Sequence, residues 1–251
     1  MADEQRLYNS VAPLRNVAAL TALIDRVQNR AIGLPGMACF YGWSGFGKST
    51  AAIYAANKFQ AVLVQCKSAW TKKTVCSAIL AELGLPAKGN TADMVDRIAA
   101  ELAVQGVPLI IDEADHVVAR KMVEIVRDIY EGSQAPVILI GEELLPQKLK
   151  EWERVHGRML DWVAAQPADM SDLNHLAAIY APGLAIDDAL KSDLLRMSHG
   201  STRRVCVNLA QLAERAQVLG VERMGKGDFD QRAFFTGAAP VPRRSEVVGL
   251  G

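Results

Sequence analysis

Gly42, Trp43, Ser44, Gly45, Phe46, Gly47, Lys48 and Ser49 fill the pattern G-x-x-x-x-G-K-[ST] completely, with Thr50 directly behind. The chemistry this spacing serves is the holding of a polyphosphate. Glycines let the backbone bend until consecutive N–H groups converge on phosphate oxygens. Lys48 then reaches the β- and γ-phosphates, and the Ser49 hydroxyl ligates Mg²⁺. A second group, Leu109-Ile-Ile-Asp112-Glu113, is an apolar run ending in two carboxylates. At the end of a strand, Asp112 stands near the Mg²⁺ and its water shell. Glu113 is then placed to polarise an attacking water as general base. Such an acidic turn is commonplace alone. Paired with the glycine-rich loop, it reads as binding and hydrolysis of a nucleoside triphosphate.

The loop needs a strand before it and a helix after it, and the sequence supplies both. Met37-Ala-Cys-Phe-Tyr41 reads as a buried strand, and Ser49 to Asn57 as an Ala-rich helix. Further apolar runs at 61–65, 107–111 and 136–140 read as strands. Between them, helices are predicted over 71–83, 91–105 and 120–131, after a leading helix over 13–30 whose apolar residues recur at helical spacing. The run 161–165 fits a strand or a helix. Strands that are apolar throughout and alternate with helices imply an α/β fold with a parallel sheet covered on both faces. From 171 onward only helices are expected, over 171–180, 187–198 and 201–219. The expected organisation is therefore a core over 1–168, a small helical lid over 169–236 and a flexible tail over 237–251.

Composition narrows the class. The 251 residues carry 28 Lys+Arg against 28 Asp+Glu, for zero net charge, which argues against a general polycation. With 50% apolar residues the chain is not disordered over most of its length. Cys39, Cys66, Cys76 and Cys206 form no CxxC pair and no zinc spacing, so reduced thiols in a cytosolic protein are expected. His116 lies near the acidic turn, where a local hydrogen bond is expected. His156, His175 and His199 lack metal spacing. The N-terminus has no signal-peptide pattern and no apolar run suggests a membrane span, so the expected location is the cytoplasm.

Residues 112–115 spell Asp-Glu-Ala-Asp, a tetrapeptide shared with DEAD-box RNA helicases. Those require two tandem nucleotide-binding cores, whereas the second half here reads as helical.

On the segments 36–49, 107–116, 137–141, 154–158 and 200–203, the sequence resembles the AAA+ ATPases. Within them it is similar to the target-selection ATPases of transposition, the family of the B protein of Mu-like phages and its relatives in Tn7-like elements. The resemblance implies a P-loop AAA+ core with a parallel five-stranded sheet, a helical lid, ATP and Mg²⁺ as ligands, and Asp112 and Ser49 on the metal. It also implies a γ-phosphate sensor at the end of the fourth strand, commonly Asn or Thr. This sequence has Gly141-Glu142 there, and Glu142 is the nearest candidate. Arg158, with Arg154 second, fits the arginine finger that acts on a neighbouring subunit's nucleotide. Arg203, with Arg204 as fallback, fits the second sensor. Lys67, Lys72, Lys73, Arg120 and Lys121 fall where relatives line a DNA channel, as non-specific phosphate contacts. The partners so implied are duplex DNA, a transposase and further copies of the chain, in a ring or filament. The segment before Met37 is too short for the helix-turn-helix appendage some relatives carry, so DNA affinity is expected from the core itself. The alternatives are an AAA+ loader or motor of replication initiation or secretion, and a P-loop small-molecule kinase. Trp43 is unusually bulky for its position and is expected to pack on the lid or on a neighbouring subunit.

Overall fold

A computed structural model describes residues 13–230 and 233–237. The chain enters through α1 (Arg15–Gln28) and β1 (Met37–Tyr41), followed by α2 (Lys48–Phe59) and β2 (Val62–Gln65). Then come α3 (Lys72–Glu82), α4 (Thr91–Gln105), β3 (Leu109–Asp112), α5 (Ala114–Ala119), α6 (Val123–Ser133) and β4 (Val137–Gly141). After α7 (Leu145–Lys150) and α8 (Glu153–His156), β5 (Met159–Ala164) completes a five-stranded sheet in the order β2-β3-β4-β1-β5. Every pairing in it is parallel.

Central strands β3 and β4 are buried at every position, which is why their sequences are apolar without interruption. Alternate residues serve opposite faces. Met37, Cys39, Leu109, Ile111, Val137 and Leu139 pack with the helices α3, α4 and α6 on one side. Ala38, Phe40, Ile110, Ile138 and Ile140 pack on the other side with α1 and α2. The run that fitted either a strand or a helix is edge strand β5. All its residues are only half-buried, so it lacks the apolar continuity of the centre.

Two expectations are corrected. The helix predicted over 120–131 is α6, which starts only at Val123, and a further short helix, α5, precedes it across a turn at 120–122. Lys121 takes φ +53°, and the turn swings Met122 to 3% exposure, between buried Val117 and Val123. Burial of that methionine offsets the roughly 1–2 kcal/mol cost of a left-handed lysine. Arg120 and Lys121 therefore sit on a turn rather than opening a helix.

The C-terminal region is also not purely helical. Its helices α9 (Met170–Tyr180), α10 (Asp188–Met197) and α11 (Thr202–Leu219) are joined by a short parallel pairing of β6 (Ala185–Ile186) with β7 (Arg223–Met224). Leu173, Leu176, Leu194, Val205 and Leu209 continue the core of the α1–α2 face. Polar side chains start these helices: Asp169 accepts from the Asp172 N–H, Asp187 from Leu190 and Ser201 from Arg204. Apart from Gly237, the expected tail lies outside the described residues. Among the described residues no helix is long and apolar enough to cross a membrane.

Candidate functional site

β1 ends at Tyr41 and the glycine-rich loop carries the chain to α2, which starts at Lys48. Gly45 (φ +86°) and Gly47 (φ +81°) occupy the left-handed region, where a side chain is costly. At Gly45 space is short as well, since a Cβ there would lie 2.5 Å from Ser201 Oγ. The Gly45 carbonyl accepts the Arg203 N–H at 3.1 Å, so the first turn of α11 rests on the loop.

Between them lies a cavity of about 340 Å³. From the loop and α2, Ser44, Gly45, Gly47, Lys48, Ser49 and Thr50 line it; from β3, Asp112 and Glu113; from β4, Gly141 and Glu142; from α11, Arg203. Residues distant in sequence meet here because a parallel sheet delivers the C-terminal ends of β1, β3 and β4 to one edge. Lys48 Nζ donates to the carbonyls of Gly42 (2.6 Å) and Trp43 (3.0 Å). Burial lowers its pKa, and the charges of Asp112, Glu113 and Glu142 oppose that shift.

Asp112 is 4% exposed. Its Oδ1 accepts the Glu113 N–H at 2.9 Å and its Oδ2 accepts from Gln65 Nε2 at 3.4 Å. Glu113 takes φ +55°, a strained conformation for a residue with a side chain. Burial raises its pKa, and the neighbouring Asp112 charge adds to the effect. A carboxyl raised in this way is a better proton acceptor when ionised. Behind Glu142, Asp115 accepts its backbone N–H at 2.7 Å and pairs with Lys148 Nζ at 2.6 Å.

Not every predicted residue lines the cavity. Phe46 packs its ring into the α1–α2 core, and Gly42 and Trp43 offer their carbonyls to Lys48. The Trp43 residue is 62% exposed within the chain. Arg158 stands at the opposite end of the sheet, where its carbonyl accepts the Met37 N–H at the start of β1. Its guanidinium donates to Glu131 Oε1 through Nε at 3.0 Å and forms an ion pair with it at 2.8 Å. Arg154 is exposed on α8. Lys67, Lys72 and Lys73 are exposed after β2, and Arg120 and Lys121 on the turn between α5 and α6. Lys67 leaves the sheet at the cavity edge, because Gln65 pairs with Asp112 in register. The Arg204 N–H donates to Ser201 Oγ, and its side chain lies against Gly237. His116 is half-buried on α5, and its charge opposes the rise of the Glu113 pKa.

Tyr180, Thr202, Cys206 and Val207 also line the cavity, from α9 and α11. Burial raises the pKa of both Tyr180 and Cys206, and each also acts on the other's. No spacing in the sequence marks these residues; only the docking of the C-terminal helices assembles them.

The contents of the cavity wall suit a Mg²⁺–nucleotide. Left-handed glycines, a lysine, a hydroxyl and a buried carboxylate surround one space. Among the described residues no cluster of three or more His, Cys, Asp or Glu is gathered that could hold a metal by itself.

Residues 32–149 match the family model described as an AAA domain, a span that includes both the loop and the acidic turn. No curated protein matches the chain. Among solved structures, the chain is similar to the Orc1 protein of Aeropyrum pernix in complex with DNA. The likeness has 20% identity and TM-score 0.56, over 85% of this chain and 62% of that one. Cdc6p from Pyrobaculum aerophilum gives 12% identity and TM-score 0.58, over 83% and 63% of the two chains. The RuvB Holliday junction branch migration motor of Thermotoga maritima gives 18% identity and TM-score 0.56, over 85% and 66%. Likenesses at these identities establish a shared fold, and this chain spans less than two thirds of each structure's own length.

Proposed function

We propose that residues 32–149, which match a family model described as an AAA domain, form a P-loop ATPase domain, and that this chain hydrolyses ATP and assembles with further copies of itself on duplex DNA. The observation carrying the proposal is that Lys48, Ser49, Asp112, Glu113 and Arg203 all face one cavity. Lys48 and Arg203 bind and orient the triphosphate, and the loop amides hold its oxygens. Ser49 and Asp112 would hold Mg²⁺, which neutralises phosphate charge when bound. Glu113 takes a proton from the attacking water as the new O–Pγ bond forms and the bond to the β-phosphate bridging oxygen breaks, leaving ADP and phosphate. Arg158, distant from its own chain's cavity, serves the nucleotide of an adjacent copy, with Arg154 as second candidate. Glu142 takes the γ-phosphate sensor position, its negative charge offset by Lys48 and Arg203.

Lys67, Lys72, Lys73, Arg120 and Lys121 supply weak phosphate contacts in each copy, multiplied by assembly. Zero net charge is compatible with this arrangement. Electron microscopy with a slowly hydrolysed ATP analogue, with and without duplex DNA, tests the proposal. A chain that stays monomeric and off DNA under those conditions overturns it.

The finer role, selecting a transposition target and recruiting a transposase in a bacterial cytoplasm, rests on the short segments 137–141, 154–158 and 200–203. Similarity to Orc1 and Cdc6p favours a second reading, a loader of the replication-initiation type. Stimulation of ATP hydrolysis by a transposase encoded beside this chain supports the first. Stimulation only by a replication partner supports the second.

A further inference from the structure

The first turn of α1 reaches both the glycine-rich loop and the crossing from β5 to α9. Asn16 is 7% exposed and makes three hydrogen bonds. Its Nδ2 donates to the Phe46 carbonyl at 2.8 Å and to the Gln166 carbonyl at 2.8 Å. Its Oδ1 accepts the Gln166 N–H at 2.8 Å. Next to it, Asp172 Oδ1 accepts the Arg15 N–H at 2.9 Å, and the Arg15 guanidinium binds the Pro167 carbonyl. The contacts to Gln166, Pro167 and Asp172 join segments about 150 positions apart, and the Phe46 carbonyl belongs to the loop whose Gly45 and Gly47 line the cavity.

We propose that Asn16 is a positioning residue for phosphate binding: it fixes the Phe46–Gly47 peptide so that the Gly47 N–H faces the nucleotide, and it couples that peptide to the start of the C-terminal helices. The inference rests on the ATP reading above. A trans peptide carries its N–H on the side opposite its carbonyl. Holding the Phe46 oxygen against α1 therefore turns the Gly47 N–H away from α1, toward the cavity that Gly47 lines. Gly47 has no side chain to resist rotation of that peptide, so the loop alone does not set its direction. Asparagine suits the task because one amide offers two donors and an acceptor, all engaged here. The same amide holds Gln166 by both its N–H and its carbonyl. Rotation of the loop peptide on nucleotide binding is thus transmitted to the segment from which α9 departs.

The test compares N16L, which removes donors and acceptor while keeping the branched shape of the side chain, with the wild-type chain in ATP titrations with Mg²⁺. N16L is expected to weaken ATP binding by about tenfold, the effect of one unmet buried acceptor. In turnover the loss appears in KM, with kcat held within about twofold, because Glu113 and its water are untouched. L23A, a cavity variant of the same helix remote from the loop, serves as the control and keeps wild-type affinity in its folded fraction. If N16L does not fold, N16D at pH 8 replaces it under the same criteria, since a carboxylate repels the Phe46 carbonyl. Wild-type affinity in a folded variant overturns the inference, as does an equal loss in L23A. Failure of the wild-type chain itself to bind ATP overturns the ATP reading instead.

Discussion

The Arg203 N–H donates to the Gly45 carbonyl at 3.1 Å, so the α9–α11 helices and the phosphate loop share a hydrogen bond. Arg203 lines the cavity from α11 and Gly45 lines it from the loop. A nucleotide drawn to either must therefore take account of both. G45A tests the relationship. The new Cβ would meet Ser201 Oγ, and the φ of +86° adds roughly 1–2 kcal/mol of strain. Expected are a lower melting temperature, α11 displaced from the loop and a clear loss of ATP affinity. Unchanged affinity would show that this docking is incidental to binding.

Separate roles for Lys48 and Glu113 predict separate phenotypes. K48A should abolish ATP binding. E113Q should leave binding intact, slow hydrolysis by about 10²–10⁴-fold and trap the DNA-bound assembly. Normal hydrolysis by E113Q would remove Glu113 from the mechanism.

The raised pKa of Glu113 fixes a direction for pH dependence. As general base it must be ionised, so hydrolysis falls with decreasing pH through a value above the ordinary 4.5. Its effect on stability has the opposite sense. A carboxyl whose folded pKa lies above its unfolded one binds protons more tightly when folded, so stability is lost as pH rises through that window. Above the window E113Q should be more stable than wild type in urea unfolding, and indistinguishable well below it. A wild-type acid limb at or below 4.5 contradicts the assignment.

Legibility in the sequence followed burial. β3 and β4, covered on both faces, read as unbroken apolar runs, whereas β5 mixes Asp161 and Trp162 into a half-buried edge and offers no single period. The break at Lys121 was invisible for a different reason. No glycine or proline marks it, and the force that bends the chain is burial of Met122, a tertiary effect. Loop and acidic turn are local patterns, so the phosphate end of the site was readable. Gln65, Asn16, Tyr180 and Cys206 were not, because each matters only through a partner brought close by folding. Asp115 is an intermediate case. It stood in plain view beside Asp112 and Glu113, but its partners Lys148 and the Glu142 N–H follow a strand and a turn later.

Asp115 should prove structural in its effect on stability and local in its effect on the site. D115A leaves the Glu142 N–H without its acceptor, at a cost of about 1–3 kcal/mol. D115N keeps an acceptor and should lose less, since Lys148 is exposed enough to be solvated. Chemical denaturation ranks the variants, and equal losses would mean that the ion pair, not the backbone contact, dominates.

Cys206 offers a probe of the cavity. Cys39, Cys66 and Cys76 are buried, and burial pushes the Cys66 thiol up to about 12 and Cys76 up to about 11. Cys206 is the half-buried one and lines the cavity. Its pKa is raised by burial, so alkylation should accelerate steadily as pH rises toward and above neutrality. ATP with Mg²⁺ should protect it in wild type and not in K48A. Equal labelling with and without ATP would place the nucleotide elsewhere.

Arg158 yields the prediction that separates one chain from an assembly. It lies at the far end of the sheet from its own loop and is paired with Glu131 at a half-exposed position, where such pairs contribute little. Exchanging Glu131 for a neighbour's γ-phosphate therefore costs little and gains a guanidinium at developing negative charge. R158A should bind ATP normally and hydrolyse it slowly, while K48A binds none. In a mixture, a K48A copy still has an intact Arg158 to lend to an R158A copy that holds ATP. Hydrolysis should thus reappear on mixing and pass through a maximum as the ratio is varied. R154A mixed with K48A supplies the comparison for the second candidate. Should neither mixture exceed the sum of its inactive parts, hydrolysis is completed within one chain and no arginine crosses between copies.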